Sequence, residues 1–103
     1  MKTPEAAVLR ACLDYLALNG HLITRVNNGM FEAANGRYVK TTNTPGISDI
    51  IGCSKNGMFI AVECKSAKGK LSKAQDAYGK AVMERGGVFV VARCIEDLKE
   101  AGL

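Results

Sequence analysis

Three side chains have types and spacing suited to chemistry: Asp49, Glu63 and Lys65. Glu63 and Lys65 close the apolar run Met58 to Lys65 and are two residues apart, so on a strand they share one face. Asp49 opens the preceding apolar run, just after Pro45-Gly46-Ile47-Ser48. Two carboxylates at neighbouring strand ends, with an ammonium beside one, are what metal-assisted phosphodiester hydrolysis needs. Magnesium is a hard cation that takes a few carboxylate oxygens and fills its other positions with water and substrate phosphate. It polarises the phosphate and helps to deprotonate an attacking water. A nearby lysine orients that water and stabilises charge developing on the phosphate. The carbonyl of Cys64, between Glu63 and Lys65, offers a further oxygen. Without Asp49, Glu63 and Lys65 read equally well as an exposed ion pair of minor energy.

A shared metal places a demand on register. A two-residue turn at Asn56-Gly57 would set Asp49 opposite Cys64, on the core side. A three-residue loop, Lys55-Asn56-Gly57, pairs Ser54 with Met58 and sets Asp49 opposite Glu63, where cross-strand Cβ atoms lie about 5 Å apart. Such loops want a left-handed glycine at the third position, with a bulge, and Gly57 stands there. The reading therefore predicts a positive φ at Gly57 and both carboxylates on one face of the sheet.

The elements that must carry these residues follow from local pattern. Thr3-Pro4-Glu5 reads as a helix start, by cap, first-turn proline and dipole. Leu9, Cys12, Leu13 and Leu16 then form its buried face, and Asn19-Gly20 ends it. His21 to Val26 reads as a strand. Met30 to Ala33 and Arg37 to Thr41 form a hairpin about Ala34-Asn35-Gly36, and Thr41 to Gly46 is a loop. Asp49 to Ser54 and Met58 to Lys65 form the second hairpin, with Met58, Ile60, Val62 and Cys64 facing the core. Lys68-Gly69-Lys70 is a basic loop. Ser72 starts a helix with Ala74, Ala77, Tyr78 and Ala81 on one face, and Ser72-x-x-Gln75 is a capping box. Val88 to Ala92 is a strand apolar enough to be buried on both faces, and Ile95 to Ala101 a closing helix. The expected fold is α/β (α+β), a mixed central sheet flanked by helices, in the order α-β-β-β-β-α-β-α. Residues 1–103 make one domain.

Charge points to a polyanion. Eight of the 14 Lys and Arg residues, but three of the 10 Asp and Glu, lie between positions 37 and 80, although the chain's net charge is only +4. That excess in the middle of the chain suits a phosphate backbone, with Lys40, Lys68, Lys70 and Lys73 as the DNA contacts. Other chemistries fall away. Lys68-Gly69-Lys70-Leu71-Ser72 lacks the spacing of a phosphate-binding P-loop. Cys12, Cys53, Cys64 and Cys94 form no Cys-x-x-Cys pair and His21 is the lone histidine, which argues against structural zinc and against a cysteine nucleophile. The thiols are expected to be reduced and mostly buried, His21 to be a strand-edge residue, and the six Tyr and Phe residues to be core or interface. No signal peptide or membrane span is legible, so a cytoplasmic location is expected, that of the host if the chain is phage-encoded.

The residues Gly46-Ile47-Ser48-Asp49, Glu63-Cys64-Lys65 and Leu71-Ser72-Lys73-Ala74-Gln75 resemble the VRR-NUC family, the virus-type replication-repair nucleases, a branch of the PD-(D/E)XK superfamily. The likeness runs from Glu5 to about Val91. Ser48 stands where the superfamily's name has Pro. The resemblance implies a restriction-endonuclease-like core and a Mg2+- or Mn2+-dependent endonuclease acting on DNA. It implies Asp49 and Glu63 as metal ligands, with the Cys64 carbonyl, and Lys65 as the catalytic lysine. It adds Glu5 near the metal and Gln75 as an active-site neighbour. Members without further domains are similar to homodimeric resolvases of branched DNA such as four-way (Holliday) junctions. The alternatives are a catalytically inactive nucleic-acid-binding module of the same fold, and a nuclease of duplex or single-stranded DNA. Neither a membrane nor a small-molecule cofactor is expected.

Overall fold

The computed structural model describes residues 3–26, 30–40 and 44–103, and only the backbone of the strands at 30–32 and 38–40. Helix α1 spans Pro4–Leu18; the Thr3 hydroxyl caps it by accepting from the Ala6 amide at 3.0 Å. Strands β1 (Leu22–Arg25), β2 (Met30–Glu32), β3 (Tyr38–Lys40), β4 (Ile50–Cys53) and β5 (Phe59–Cys64) follow, then α2 (Lys73–Glu84), β6 (Val88–Ala92) and α3 (Ile95–Glu100). The order expected from sequence is thus one strand short. Two hairpins supply four strands, and β1, which belongs to neither, makes the fifth. Thr41, placed in the first hairpin, and the loop residues through Asn43 lie outside the described residues.

The central sheet runs β1-β4-β5-β6, and β2 and β3 form a separate two-stranded ribbon. β4 runs antiparallel to both its neighbours, β1 and β5, whereas β6 joins β5 in parallel after the crossover through α2. This is the mixed sheet expected. Cys12 and Leu16 of α1 pack on Ile50, Ile60, Val62 and Cys64, with Val90, Ala92 and Leu98 completing the core. Helix α2 covers the opposite face, so β5 is buried from Ile60 to Cys64 on both sides. Met58, expected in the core, is instead exposed, at the turn end of the hairpin.

Helix α2 has the predicted start: the Ser72 hydroxyl accepts from the Gln75 amide at 3.1 Å, and the Gln75 carboxamide oxygen accepts from the Ser72 amide at 2.8 Å. Its buried face is not the one expected. Gly79 and Val82 are buried, while Ala74 and Ala77 are exposed. The cause is Phe89, whose ring fills the space of the missing side chain; a Cβ on Gly79 would stand 2.3 Å from its Cε2. His21 is also not at a strand edge. It is buried, its Nε2 lying 2.9 Å from the Leu103 main-chain oxygen, while its Nδ1 accepts from the Lys55 amide at 3.1 Å. With Asn19 Nδ2, which donates to the same oxygen at 3.0 Å, it pins the end of the chain to the β4–β5 turn. Of the four thiols, Cys12 and Cys64 are buried as expected, but Cys53 and Cys94 are exposed, at the end of β4 and the start of α3.

Candidate active site

The β4–β5 hairpin closes through the three-residue loop that the chemistry demands. The Ser54 amide donates to the Met58 carbonyl at 2.7 Å, and the Gly57 amide to the Ser54 carbonyl at 2.8 Å. Gly57 has φ +87°, a conformation that disfavours any residue with a Cβ. Cys53 therefore pairs with Phe59 and Ile50 with Val62. One residue further, the same register sets Asp49 opposite Glu63.

Asp49 is held in two ways. Its carbonyl accepts from the Val26 amide at 2.7 Å, tying it to β1, and its Oδ2 accepts from the Cys64 amide at 2.8 Å, tying it to β5. The loop before it is fixed on α2: Gly46, at φ +73°, lies so close that a Cβ there would stand 2.1 Å from the Ala74 carbonyl oxygen. That contact brings the first turn of α2, with Gln75, against the segment leading to Asp49.

Glu63 is 1% exposed, so the exposed ion pair weighed from sequence does not form. Burial raises its carboxyl from 4.5 to about 8, assisted by a hydrogen bond to Asp49 and by the charge of Asp49. The Lys65 ammonium acts in the opposite sense without cancelling them. Glu63 Oε2 and Ser48 Oγ are the buried side-chain oxygens left without a hydrogen-bond partner among the described residues. An orphaned carboxylate oxygen in a site that opposes its ionisation is a natural place for a cation. The donors fit a hard divalent ion: carboxylate oxygens of Asp49 and Glu63 and the carbonyl oxygen of Cys64. The Cys64 thiol faces the core, where a hydrogen bond with Cys12, and then burial, push it above the usual thiol range.

Glu5 lines a cleft of about 190 Å³ with Thr3, Arg25, Asp49 and Cys64. It shares the opening with Asp49 but does not complete a cage. Among the described residues no three His, Cys, Asp or Glu side chains converge closely enough for one. Lys68, Lys70 and Lys73 are exposed beyond β5, and the ion pairs among the described residues, Arg10–Asp14 and Lys80–Asp76, involve none of them. The side chain of Lys40 lies outside the described residues. A larger hollow of about 420 Å³ opens between Phe59, Tyr78, Val82 and Arg85, but its described lining includes no carboxylate.

Two arginines escaped the sequence reading. Arg93 follows β6, and its guanidinium donates to the Ser66 and Ala67 carbonyls, anchoring the start of the basic loop. Arg25 ends β1 and lines the Asp49 cleft. Both owe their place to strand pairings that no local pattern encodes. No described helix is long and apolar enough to cross a membrane.

Compared with known protein families, residues 5–95 match the model of the VRR-NUC domain. No curated protein and no solved structure is significantly similar to the chain.

Proposed function

Since the chain belongs to the VRR-NUC family, and is thus a nuclease domain of the PD-(D/E)XK type, we propose that it is a Mg2+- or Mn2+-dependent endodeoxyribonuclease. Asp49, Glu63 and the Cys64 carbonyl hold the ion, Glu5 approaches it from α1, and Lys65 is the catalytic lysine. The observation that carries this reading is the buried Glu63 carboxyl, one oxygen unpartnered, opposite Asp49 and beside Lys65.

When bound, the ion supplies charge neutralisation at the phosphate and a lowered pKa for the attacking water. The chain's own part is positioning. Asp49 is fixed by the Cys64 amide and Glu63 by the register, so neither carboxylate must be ordered when substrate arrives. Lys65 orients the water and stabilises charge on the phosphoryl oxygens as the new P–O bond forms. One bridging P–O bond breaks, and its oxygen leaves with a proton from solvent. Gln75 has its carboxamide oxygen engaged in the capping box, which leaves its NH2 group to donate to a phosphate near the α2 N-terminus. The exposed Lys68, Lys70 and Lys73, with Lys40, track the backbone.

The preferred substrate in this reading is branched DNA such as a four-way junction, cut by a homodimer, since a symmetric junction requires two symmetric cuts. The test is cleavage of four-way junction, flap, duplex and single-stranded DNA with Mg2+ or Mn2+ by wild type and by Asp49→Ala, Glu63→Ala and Lys65→Ala. All three variants should bind DNA and cut nothing. Turnover at the wild-type rate by any of them sinks its assignment, and a wild type that binds every substrate and cuts none is the inactive module.

A further inference from the structure

The four strands of the central sheet bring charged residues to the same end, in spatial order. Arg25 ends β1; Asp49 precedes β4; Glu63 and Lys65 stand at the end of β5; Arg93 follows β6. The pairings fix that row: Val26 donates to the Asp49 carbonyl, Asp49 extends the β4–β5 register opposite Glu63, and Cys64 lies beside Ala92. Carboxylates therefore occupy the middle, with a cation on either side. On the β6 side the cations are Lys65 and the lysine loop that Arg93 anchors. On the β1 side the cation is Arg25.

Arg25 differs from the other arginines near this row. Arg10 pairs with Asp14, and Arg93 is consumed by the Ser66 and Ala67 carbonyls. Arg25 is exposed and shares its cleft with Glu5 and Asp49, yet among the described residues it pairs with neither. The cleft opens beside the first turn of α1, where Thr3 and Ala6 complete its wall. A guanidinium left unpaired next to two carboxylates is available to an anion arriving from outside, and its planar fork matches a phosphate.

We propose that Arg25 and its cleft form a second phosphate subsite, on the opposite side of Asp49 and Glu63 from Lys65. It takes a backbone phosphate of the DNA strand next to the one that is cut. The strand then crosses the sheet end from Arg25, over the carboxylates, to the lysine loop, and the two flanking cations hold the scissile phosphate between them. Arg25 is thus a positioning residue. This rests on the nuclease reading, and the test separates the two.

The test uses the full chain and a fluorescent four-way DNA junction in EDTA, which holds binding apart from cleavage. Anisotropy titrations over a range of salt compare wild type, Arg25→Ala and Arg25→Lys. Arg25→Ala should bind about tenfold more weakly, with a salt slope shallower by about 0.9, and Arg25→Lys should recover the slope. A set of junctions, each with one phosphate made neutral as a methylphosphonate, then locates the contact. One linkage should weaken wild-type binding about tenfold and leave Arg25→Ala unaffected, a pattern that a merely structural role would not produce. An unchanged slope, or linkages that cost wild type and Arg25→Ala alike, overturns the subsite; cleavage by wild type in Mg2+ then leaves the nuclease reading standing. A wild type that neither binds nor cuts DNA overturns both.

Discussion

Glu63→Gln separates the charge of this carboxyl from its shape. The amide is nearly isosteric and permanently neutral. In the folded protein burial, and then Asp49, raise the Glu63 carboxyl from 4.5 to about 8, whereas in the unfolded chain it titrates at its ordinary value. The sign follows directly. Between those two values the folded state binds more protons than the unfolded state, so stability falls as pH rises through the window. Below it both states are protonated and nothing is lost; above about 8 the loss is complete. Taken in full, that shift is worth roughly 5 kcal/mol. Relaxation of the surrounding dipoles toward the ionised form recovers part of it, so about 2–3 kcal/mol should register on unfolding. For a domain of this size that corresponds to about 10 °C in Tm. The assay is thermal unfolding of the metal-free wild type and Glu63→Gln from about pH 5 to about pH 9. The two should unfold together at the acid end, and the variant should be the more stable at the alkaline end. Mg2+ should then raise the alkaline Tm of the wild type and leave that of the variant unchanged. A difference between the two proteins that stays constant across the range would refute the argument, because Glu63 would then carry no uncompensated charge.

Three further outcomes are expected. Replacing Lys68, Lys70 and Lys73 together by Ala should flatten the salt dependence of DNA binding by about 0.9 per lysine; an unchanged slope places the DNA elsewhere. Gly46→Ala combines a positive φ with a Cβ 2.1 Å from the Ala74 carbonyl oxygen. It should lift the loop from α2, misplace Asp49 and abolish cleavage, with a stability loss of about 2–3 kcal/mol in urea; full activity would show that Asp49 does not depend on this docking. Gly79→Ala sets a Cβ 2.3 Å from Phe89 Cε2, away from the strand ends. It should cost about 1–3 kcal/mol in the same measurement and leave cleavage intact well below its Tm.

The parts whose causes are local were legible from the sequence. Thr3-Pro4 and Ser72-x-x-Gln75 set the two helix starts because a cap is satisfied within one turn. Gly57 set the turn, the turn set the register, and the register put Asp49 opposite Glu63, all within a span of 15 residues. The rest depends on distant neighbours and emerges only on folding. Glu63 is a buried group with a raised pKa because β6 and the helices pack on β5, covering what a lone hairpin would leave to water. The buried face of α2 is set by Phe89 beneath Gly79, and His21 is buried by the end of the chain, 82 residues away. Arg25 and Arg93 reach the site through the β1–β4 and β5–β6 pairings, whose partners are far apart in sequence. A turn is encoded by the few residues that make it, whereas burial and non-local pairing are properties of whatever comes to lie alongside, and no single segment carries them.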